Sequence, residues 1–131
     1  MKIVLDCNVF ISAGITDGAC RAVLRYVLQY ATIVMSGAME REYAEVIGRG
    51  KFRPHVDTMM ALFSEVRRIA SRVEPSPSGF SLPDQDDIPY LDAAITVAAD
   101  FLITGNNKHF PAGRYGSVEI VSPKEFLQRV A

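Results

Sequence analysis

Acidic side chains occur in this chain at positions where the edge of a sheet would gather them. Asp6 directly follows the apolar run Lys2–Leu5. Glu42 lies early in a segment with helical spacing, and Asp86 and Asp87 precede another. A carboxylate at the end of a buried strand is costly to desolvate, so it normally has a cation or strong donors as its partner. Several converging carboxylates with few basic residues between them indicate a divalent metal ion held by oxygen ligands.

The elements that must position these carboxylates alternate between strands and helices. Short apolar runs predict strands at residues 2–6, 32–35, 101–104 and 118–121. Helical spacing predicts helices over residues 20–30, 36–47, 56–73 and 88–99, and the capping-box sequence from Ser122 to Glu125 opens a last one. Residues 8–17 are expected to be irregular because Ser12, Gly14 and Gly18 act as breakers, and the proline- and serine-rich residues 74–84 are expected to form a loop. This alternation predicts an α/β fold with a parallel sheet covered on both faces.

Length and composition limit the possibilities further. The 131 residues suffice for one domain, and 49% hydrophobic with 22% charged residues is an ordinary globular balance. The net charge of −1 gives no overall basic field, so binding of nucleic acid must depend on local patches or metal ions. No stretch is apolar enough to span a membrane, and Cys7 and Cys20 form no metal-type cluster. We therefore expect a single cytoplasmic domain, residues 1–131, with free thiols.

The helix predicted over residues 36–47 carries three glutamates. At about 100° per residue, Glu40 and Glu42 flank the apolar stripe from its two edges, so either could reach a cleft. Glu45 points away from that stripe and is expected to be solvated. Taken alone, each of them is more often a surface charge than a ligand.

Four aspartates surround the start of the helix predicted over residues 88–99: Asp84, Asp86, Asp87 and Asp92. One of the first three is expected to cap this helix, where the helix dipole favours negative charge. Asp92 lies among apolar residues one turn into the helix, which favours either a functional role or an exposed helix edge. After the strand at residues 101–104, Asn106 offers an oxygen that could bind a metal, or it serves simply as a turn residue.

In this order, the motifs resemble those of the PIN domain, a small metal-dependent nuclease fold. Its first motif is an apolar strand that ends in Asp-x-Asn, and its second is a serine followed by a glutamate. Its third combines a main with an accessory acid, and its fourth follows a strand with an acid that here is Asn. The matching residues are Asp6 and Asn8, then Ser36 and Glu42, then Asp87 and Asp92, and last Thr104 and Asn106.

This resemblance implies a three-layer α/β/α fold with a central parallel sheet of four or five strands. It also implies an endoribonuclease that depends on Mg²⁺ or Mn²⁺, with ions that activate water and neutralise charge on the scissile phosphate. The implied metal ligands are Asp6, Glu42, Asp87 and Asn106, and the implied catalytic acids are Asp6, Glu42, Asp87 and Asp92. The implied orienting residues are Asn8, Ser12 and Thr104.

The sequence is most similar to the bacterial and archaeal group of PIN proteins described as toxins of toxin–antitoxin systems, the relatives of VapC-like toxins. The implied partners are an RNA substrate, a cognate antitoxin protein and a second copy of the chain in a homodimer. Lys51 and Arg53, on either side of Phe52, could contact RNA, and a solvated loop is the alternative. His109 is expected to be a surface or packing residue.

Two other functions stay open at this point. Asp6 and the run that ends at Ser36 also resemble motifs of haloacid-dehalogenase-like phosphatases, in which a second aspartate protonates the leaving group. Here the corresponding residue is Asn8, which cannot do so. The other alternative is a PIN-like binding protein that is catalytically weak because it carries Asn106 and that acts through a partner.

Overall fold

The computed structural model describes all residues from Met1 to Ala131. Its strands are β1 (Lys2–Leu5), β2 (Thr32–Met35), β3 (Ser71–Arg72), β4 (Phe101–Ile103), β5 (Arg114–Tyr115) and β6 (Val118–Val121). Its helices are α1 (Cys7–Ile15), α2 (Ala19–Tyr30), α3 (Gly37–Ile47), α4 (Val56–Ile69), α5 (Ile88–Thr96) and α6 (Pro123–Val130). Short 3₁₀ segments cover Gly50–His55, Gln85–Asp87 and Asn107–His109. None of the helices combines the length and the apolar character that a membrane span requires.

The strands form one sheet in the order β3-β2-β1-β4-β6-β5. All neighbouring pairs are parallel except β5 with β6, which is antiparallel at one edge. Ile3, Val4 and Leu5 of β1 are buried on both faces of the sheet, as expected for a central strand between helical layers. The predicted α/β fold with a central parallel sheet and flanking helices is confirmed. Since β1 and β4 are adjacent and parallel, the residues that follow them lie at the same edge.

Aromatic side chains connect the helices to the central strand. The rings of Phe10 (α1) and Tyr43 (α3) stack at a centroid distance of 4.8 Å, and Phe63 (α4) packs against both. The Tyr43 hydroxyl donates a hydrogen bond of 2.5 Å to the carbonyl oxygen of Leu5, the last residue of β1. This contact fixes α3 relative to the end of β1, and so fixes Glu42 relative to Asp6.

The expectation of an irregular connection over residues 8–17 is wrong, because α1 occupies Cys7–Ile15. Gly14, interpreted as a breaker, instead allows close packing between helices. A Cβ atom at this position would lie 2.6 Å from Cγ of Met59 in α4. The cost of a glycine within a helix is about 1 kcal/mol, and burial of the apolar face of α1 outweighs it.

We predict that Gly14→Ala destabilises the protein by about 1–3 kcal/mol, because the added methyl group overpacks the contact with Met59. Gly50→Ala is the matched control, since nothing lies within 4 Å of a Cβ atom there. Urea denaturation of the two variants measures the difference. Equal free energies of unfolding for the two variants would contradict this account of α1.

Two further helices are shorter than predicted. The helix expected over residues 56–73 ends at Ile69, because Ala70 is extended and Ser71–Arg72 pair with β2 as strand β3. The helix expected over residues 88–99 ends at Thr96. It cannot continue through Ala98, because the φ of +50° at this residue is incompatible with a right-handed helix. The expected caps are present: the Ser36 side chain accepts from the Met39 amide. A capping box joins Ser122 and Glu125.

Candidate metal centre

A cleft of about 200 Å³ opens at the carboxyl end of β1. Its acidic lining comes from three different parts of the chain, so the fold concentrates negative charge there. Its lining consists of Asp6, Cys7, Asn8, Ile11, Glu42, Val46, Arg49, Lys51, Phe52, Asp84, Asp86, Asp87 and His109.

Asp6 is 5% exposed and lies between the end of β1 and the start of α1. Its amide donates to the carbonyl of Ile103, the last residue of β4, at 2.9 Å. The Thr104 hydroxyl donates a hydrogen bond of 2.7 Å to Asp6 Oδ2. Burial raises the pKa of the Asp6 carboxyl, and the Thr104 hydroxyl partly offsets this effect. This hydrogen bond fixes the orientation of the Asp6 carboxylate.

Asp87 is 8% exposed and ends the 3₁₀ turn that leads into α5. Burial, together with the negative charge of Asp6, raises the pKa of Asp87 to about 6. Its buried Oδ2 atom has no hydrogen-bond donor. A carboxylate oxygen buried without a donor is costly, and a bound cation would remove that cost. Asp87 thus fits a metal ligand better than a helix cap, since its side chain accepts no capping bond.

Glu42 is held at the cleft by a buried tyrosine. The Tyr90 hydroxyl, on α5, donates a hydrogen bond to Glu42 Oε1. Tyr90 is 2% exposed, and burial raises the pKa of its hydroxyl well above the ordinary value, so it stays a donor. Glu40 lies outside the cleft, where Arg72 binds its carboxylate and lowers its pKa. Of the two glutamates that could reach a cleft, only Glu42 lines it.

We predict that Tyr90→Phe lowers the affinity for Mn²⁺ roughly tenfold, because loss of an orienting hydrogen bond to a ligand typically weakens metal binding to that extent. Titration calorimetry measures the change. Tyr30→Phe is the matched control, since Tyr30 is 63% exposed and lies outside the cleft. Unchanged affinity in Tyr90→Phe would contradict an orienting role of Tyr90 at the metal site.

Asp84 and His109 also line the cleft, next to Asp87. Their ligand atoms and those of Asp87 all lie within 4.8 Å of one another. His109 Nδ1 lies 3.0 Å from Asp87 Oδ2, outside hydrogen-bonding geometry. Asp84 caps the turn at Gln85–Asp87, where its Oδ1 accepts from the Asp86 amide at 2.9 Å. Asp84 thus caps the 3₁₀ turn that leads into α5, whereas no aspartate side chain caps α5 itself. The structure also places a histidine in the cleft.

The structure brings only some of the other sequence candidates to the cleft. Asn8 and Lys51 line it, but Ser12 and Arg53 do not. Arg53 instead lines a separate depression beside Gly48 and Val56.

Asp92 and Asn106 also lie outside the cleft lining. Asp92 Oδ1 accepts from the Ser78 amide at 3.0 Å and so anchors the preceding loop, which accounts for its position on α5. Asn106 Oδ1 accepts from the Lys108 amide at 3.2 Å. The contacts of Asn106 are therefore those of a turn residue. His109, three residues later, lines the cleft where the Asn106 side chain was expected.

Cys7, the cysteine that lines the cleft, is held as a neutral thiol. Burial raises the pKa of Cys7 to about 12, and the neighbouring charges of Glu42 and Asp6 add to this effect. The thiol therefore stays protonated, and a thiolate nucleophile or thiolate metal ligand at this position is disfavoured. Cys7 and Cys20 are both free, as expected.

Comparison with known proteins identifies the architecture around this cleft. The sequence pattern described as "PIN domain" matches residues 2–108, which include every acidic residue of the cleft. The chain belongs to the PIN domain family. No curated protein sequence shows significant similarity to it. As in the family's motifs, Asp6, Glu42 and Asp87 of this PIN domain converge on one cleft.

A solved structure shares the fold. The chain superposes on a chain of VapBC2 from Rickettsia felis bound to a DNA fragment from their promoter, with a TM-score of 0.66. The match covers 93% of this chain and 98% of that chain, at 15% sequence identity. At this identity the likeness supports the PIN fold alone.

Sequence reasoning missed Tyr90 and His109 as parts of the site. Tyr90 falls on the buried face of α5, so nothing in the pattern separates it from an ordinary core aromatic. His109 reaches the cleft only because residues Asn107–His109 form a 3₁₀ turn. A signal was present in the fourth motif, where a histidine follows three residues after the missing acid.

Proposed function

We propose that this PIN domain is a divalent-metal-dependent endoribonuclease and the toxin of a toxin–antitoxin pair. The observation that carries the proposal is the convergence of Asp6, Glu42 and Asp87 at the carboxyl end of β1. Asp87 presents a buried oxygen with no donor there, and burial raises the pKa of both aspartates. Carboxylates that line one cleft repel one another, and a bound cation would offset that repulsion.

The donor set fits Mg²⁺ or Mn²⁺, which prefer carboxylate oxygens. Asp6, Glu42 and Asp87 would hold the ion, with Thr104 and Tyr90 orienting two of them. A bound ion supplies Lewis-acid activation of water and neutralises charge on the scissile phosphodiester. The chain's own part is to hold the carboxylates in fixed positions and to bring the RNA backbone next to them.

Basic and aromatic side chains at the cleft rim support RNA as the substrate. Arg49 and Lys51 line the cleft with Phe52, and Lys51 Nζ lies 5.1 Å from the centre of the Phe52 ring. Cations suit phosphate contacts, and an aromatic ring suits stacking of an unpaired base. Arg49 also pairs with Glu45 at 2.9 Å, so it would exchange this exposed partner for a phosphate. These residues favour single-stranded RNA threaded past the carboxylates.

The proposal of an antitoxin partner is supported by the solved structure with the same fold, which contains VapBC2 bound to promoter DNA. An antitoxin that neutralises this chain would cover the acidic cleft, and an arginine inserted among the carboxylates would match their charge. We also propose a homodimer, and the methionine-rich α4 is its candidate contact surface. On this helix Met60 is 45% exposed and offers apolar surface, whereas Met59 belongs to the core.

The direct test is incubation of the purified protein with a mixed RNA pool and either Mg²⁺ or Mn²⁺, beside samples with EDTA. Metal-dependent cleavage of RNA at internal positions is the expected result. Metal binding without cleavage of RNA would favour the catalytically weak binding protein. Hydrolysis of small phosphomonoesters instead would favour the phosphatase, which the family match leaves without support.

A further inference from the structure

The turn that follows β4 delivers a nitrogen ligand to the cleft. Asn106 Oδ1 accepts from the Lys108 amide, and the Asn106 amide donates to Thr104 Oγ1 at 3.2 Å. The same Thr104 hydroxyl binds Asp6. Asn106 therefore braces the turn at Asn107–His109, and the turn places His109 in the cleft.

The separation of the atoms suits two neighbouring ligands of one ion. His109 Nδ1 and Asp87 Oδ2 are 3.0 Å apart. With metal–ligand bonds of about 2.0–2.2 Å, two ligands at right angles around an octahedral ion lie about 3.0 Å apart. Asp84 lies within 4.8 Å of both and uses only Oδ1 for its cap, which leaves Oδ2 available. An independent observation also points to a bound cation: the buried Asp87 Oδ2 atom accepts no hydrogen bond.

We propose that Asp84, Asp87 and His109 form a mixed carboxylate–imidazole site for a divalent first-row transition-metal ion. The site shares Asp87 with the carboxylates of the proposed nuclease centre, so the inference deepens that proposed function and rests on it. Imidazole nitrogen suits transition-metal ions, whereas Mg²⁺ takes oxygen ligands and keeps several waters. Through His109, the site therefore discriminates against Mg²⁺.

The test uses Mn²⁺ as the probe and needs no RNA. The chain has two histidines, so His55→Gln is a matched control for His109→Gln. His55 lies in the segment Gly50–His55 and does not line the cleft. Pulsed electron paramagnetic resonance of bound Mn²⁺ detects a directly coordinated ¹⁴N nucleus. We expect this signal in the wild type and in His55→Gln, and its loss in His109→Gln.

Titration calorimetry provides a second readout on the same proteins. We expect His109→Gln to weaken Mn²⁺ binding about tenfold and to change Mg²⁺ binding much less, because only the transition-metal ion uses the nitrogen. Circular dichroism checks that His109→Gln is folded. A wild-type Mn²⁺ spectrum with oxygen ligands alone would overturn the inference, and His109 would then be a counter-ion of Asp87.

The failure of this inference is distinguishable from the failure of the nuclease proposal. Metal-dependent RNA cleavage together with an all-oxygen Mn²⁺ spectrum would leave the nuclease standing and remove His109 from the ligand set. Absence of any Mn²⁺ or Mg²⁺ binding to the folded wild-type chain would remove both.

Discussion

Asp6→Asn is expected to reduce metal-dependent RNA cleavage about a thousandfold while leaving the fold intact. Asp6 is the acid at the end of the central strand, and the Thr104 hydroxyl fixes its orientation. The substitution keeps the size of the side chain and removes the negative charge that an ion requires. Loss of a single preorganised electrostatic group in an active site commonly costs 10²–10³ in rate, and a lost ligand also weakens the ion itself.

The measurement is the single-turnover rate of RNA cleavage at saturating Mg²⁺. Glu40→Gln is the matched control, because Glu40 carries the same charge at the same edge of the fold but pairs with Arg72 outside the cleft. We expect it to cleave at the wild-type rate. If both variants lose activity equally, the loss is caused by the change in overall charge and not by removal of a metal ligand at the site.

Asp87→Asn is expected to stabilise the metal-free protein at pH 7–8, although it removes a proposed ligand. The raised pKa of Asp87, about 6, means that the folded protein binds this proton more tightly than the unfolded chain does. Its contribution to stability is complete below the unfolded pKa of about 4 and is lost as the pH rises through 6. Above pH 6 the buried carboxylate is ionised at a cost of about 1–3 kcal/mol, and the substitution removes that cost.

Urea denaturation in EDTA at pH 4, 6 and 8 measures this effect. The gain from Asp87→Asn should be near zero at pH 4 and should reach its full value at pH 8. Asp86→Asn, on the exposed neighbour in the same turn, should change the stability by less than about 0.5 kcal/mol at each pH. Adding Mn²⁺ should stabilise the wild type and not Asp87→Asn. If Asp87→Asn were less stable than the wild type at pH 8 in EDTA, the ionised Asp87 would be stabilising the fold, which would contradict this prediction.

The sequence predicts the residues of the site that lie at the ends of regular elements. Asp6 and Thr104 directly follow the adjacent strands β1 and β4, so the parallel sheet alone brings them together. Glu42 lies at the edge of the apolar stripe of α3, and helical geometry places it near the cleft. These positions depend only on the period of an element and on where it ends.

The positions of other residues depend instead on local turns and on packing between elements. Two 3₁₀ turns bring Asp84 and His109 beside Asp87, and no hydrophobic period encodes them. Asp92, which the resemblance implied as a catalytic acid, lies outside the cleft lining and anchors the loop at Ser78, a contact between segments that spacing does not reveal. The close packing of α1 against α4 depends on Gly14 fitting against Met59, which only the assembled fold shows.

The most direct test of the metal centre is a crystal of the protein soaked in Mn²⁺, with anomalous scattering used to locate the ion. We expect an anomalous peak within bonding distance of Asp6 and Asp87, in the cleft that Glu42 also lines. A peak beside Asp92 or Asn106 instead, or no peak in the cleft at saturating Mn²⁺, would contradict it.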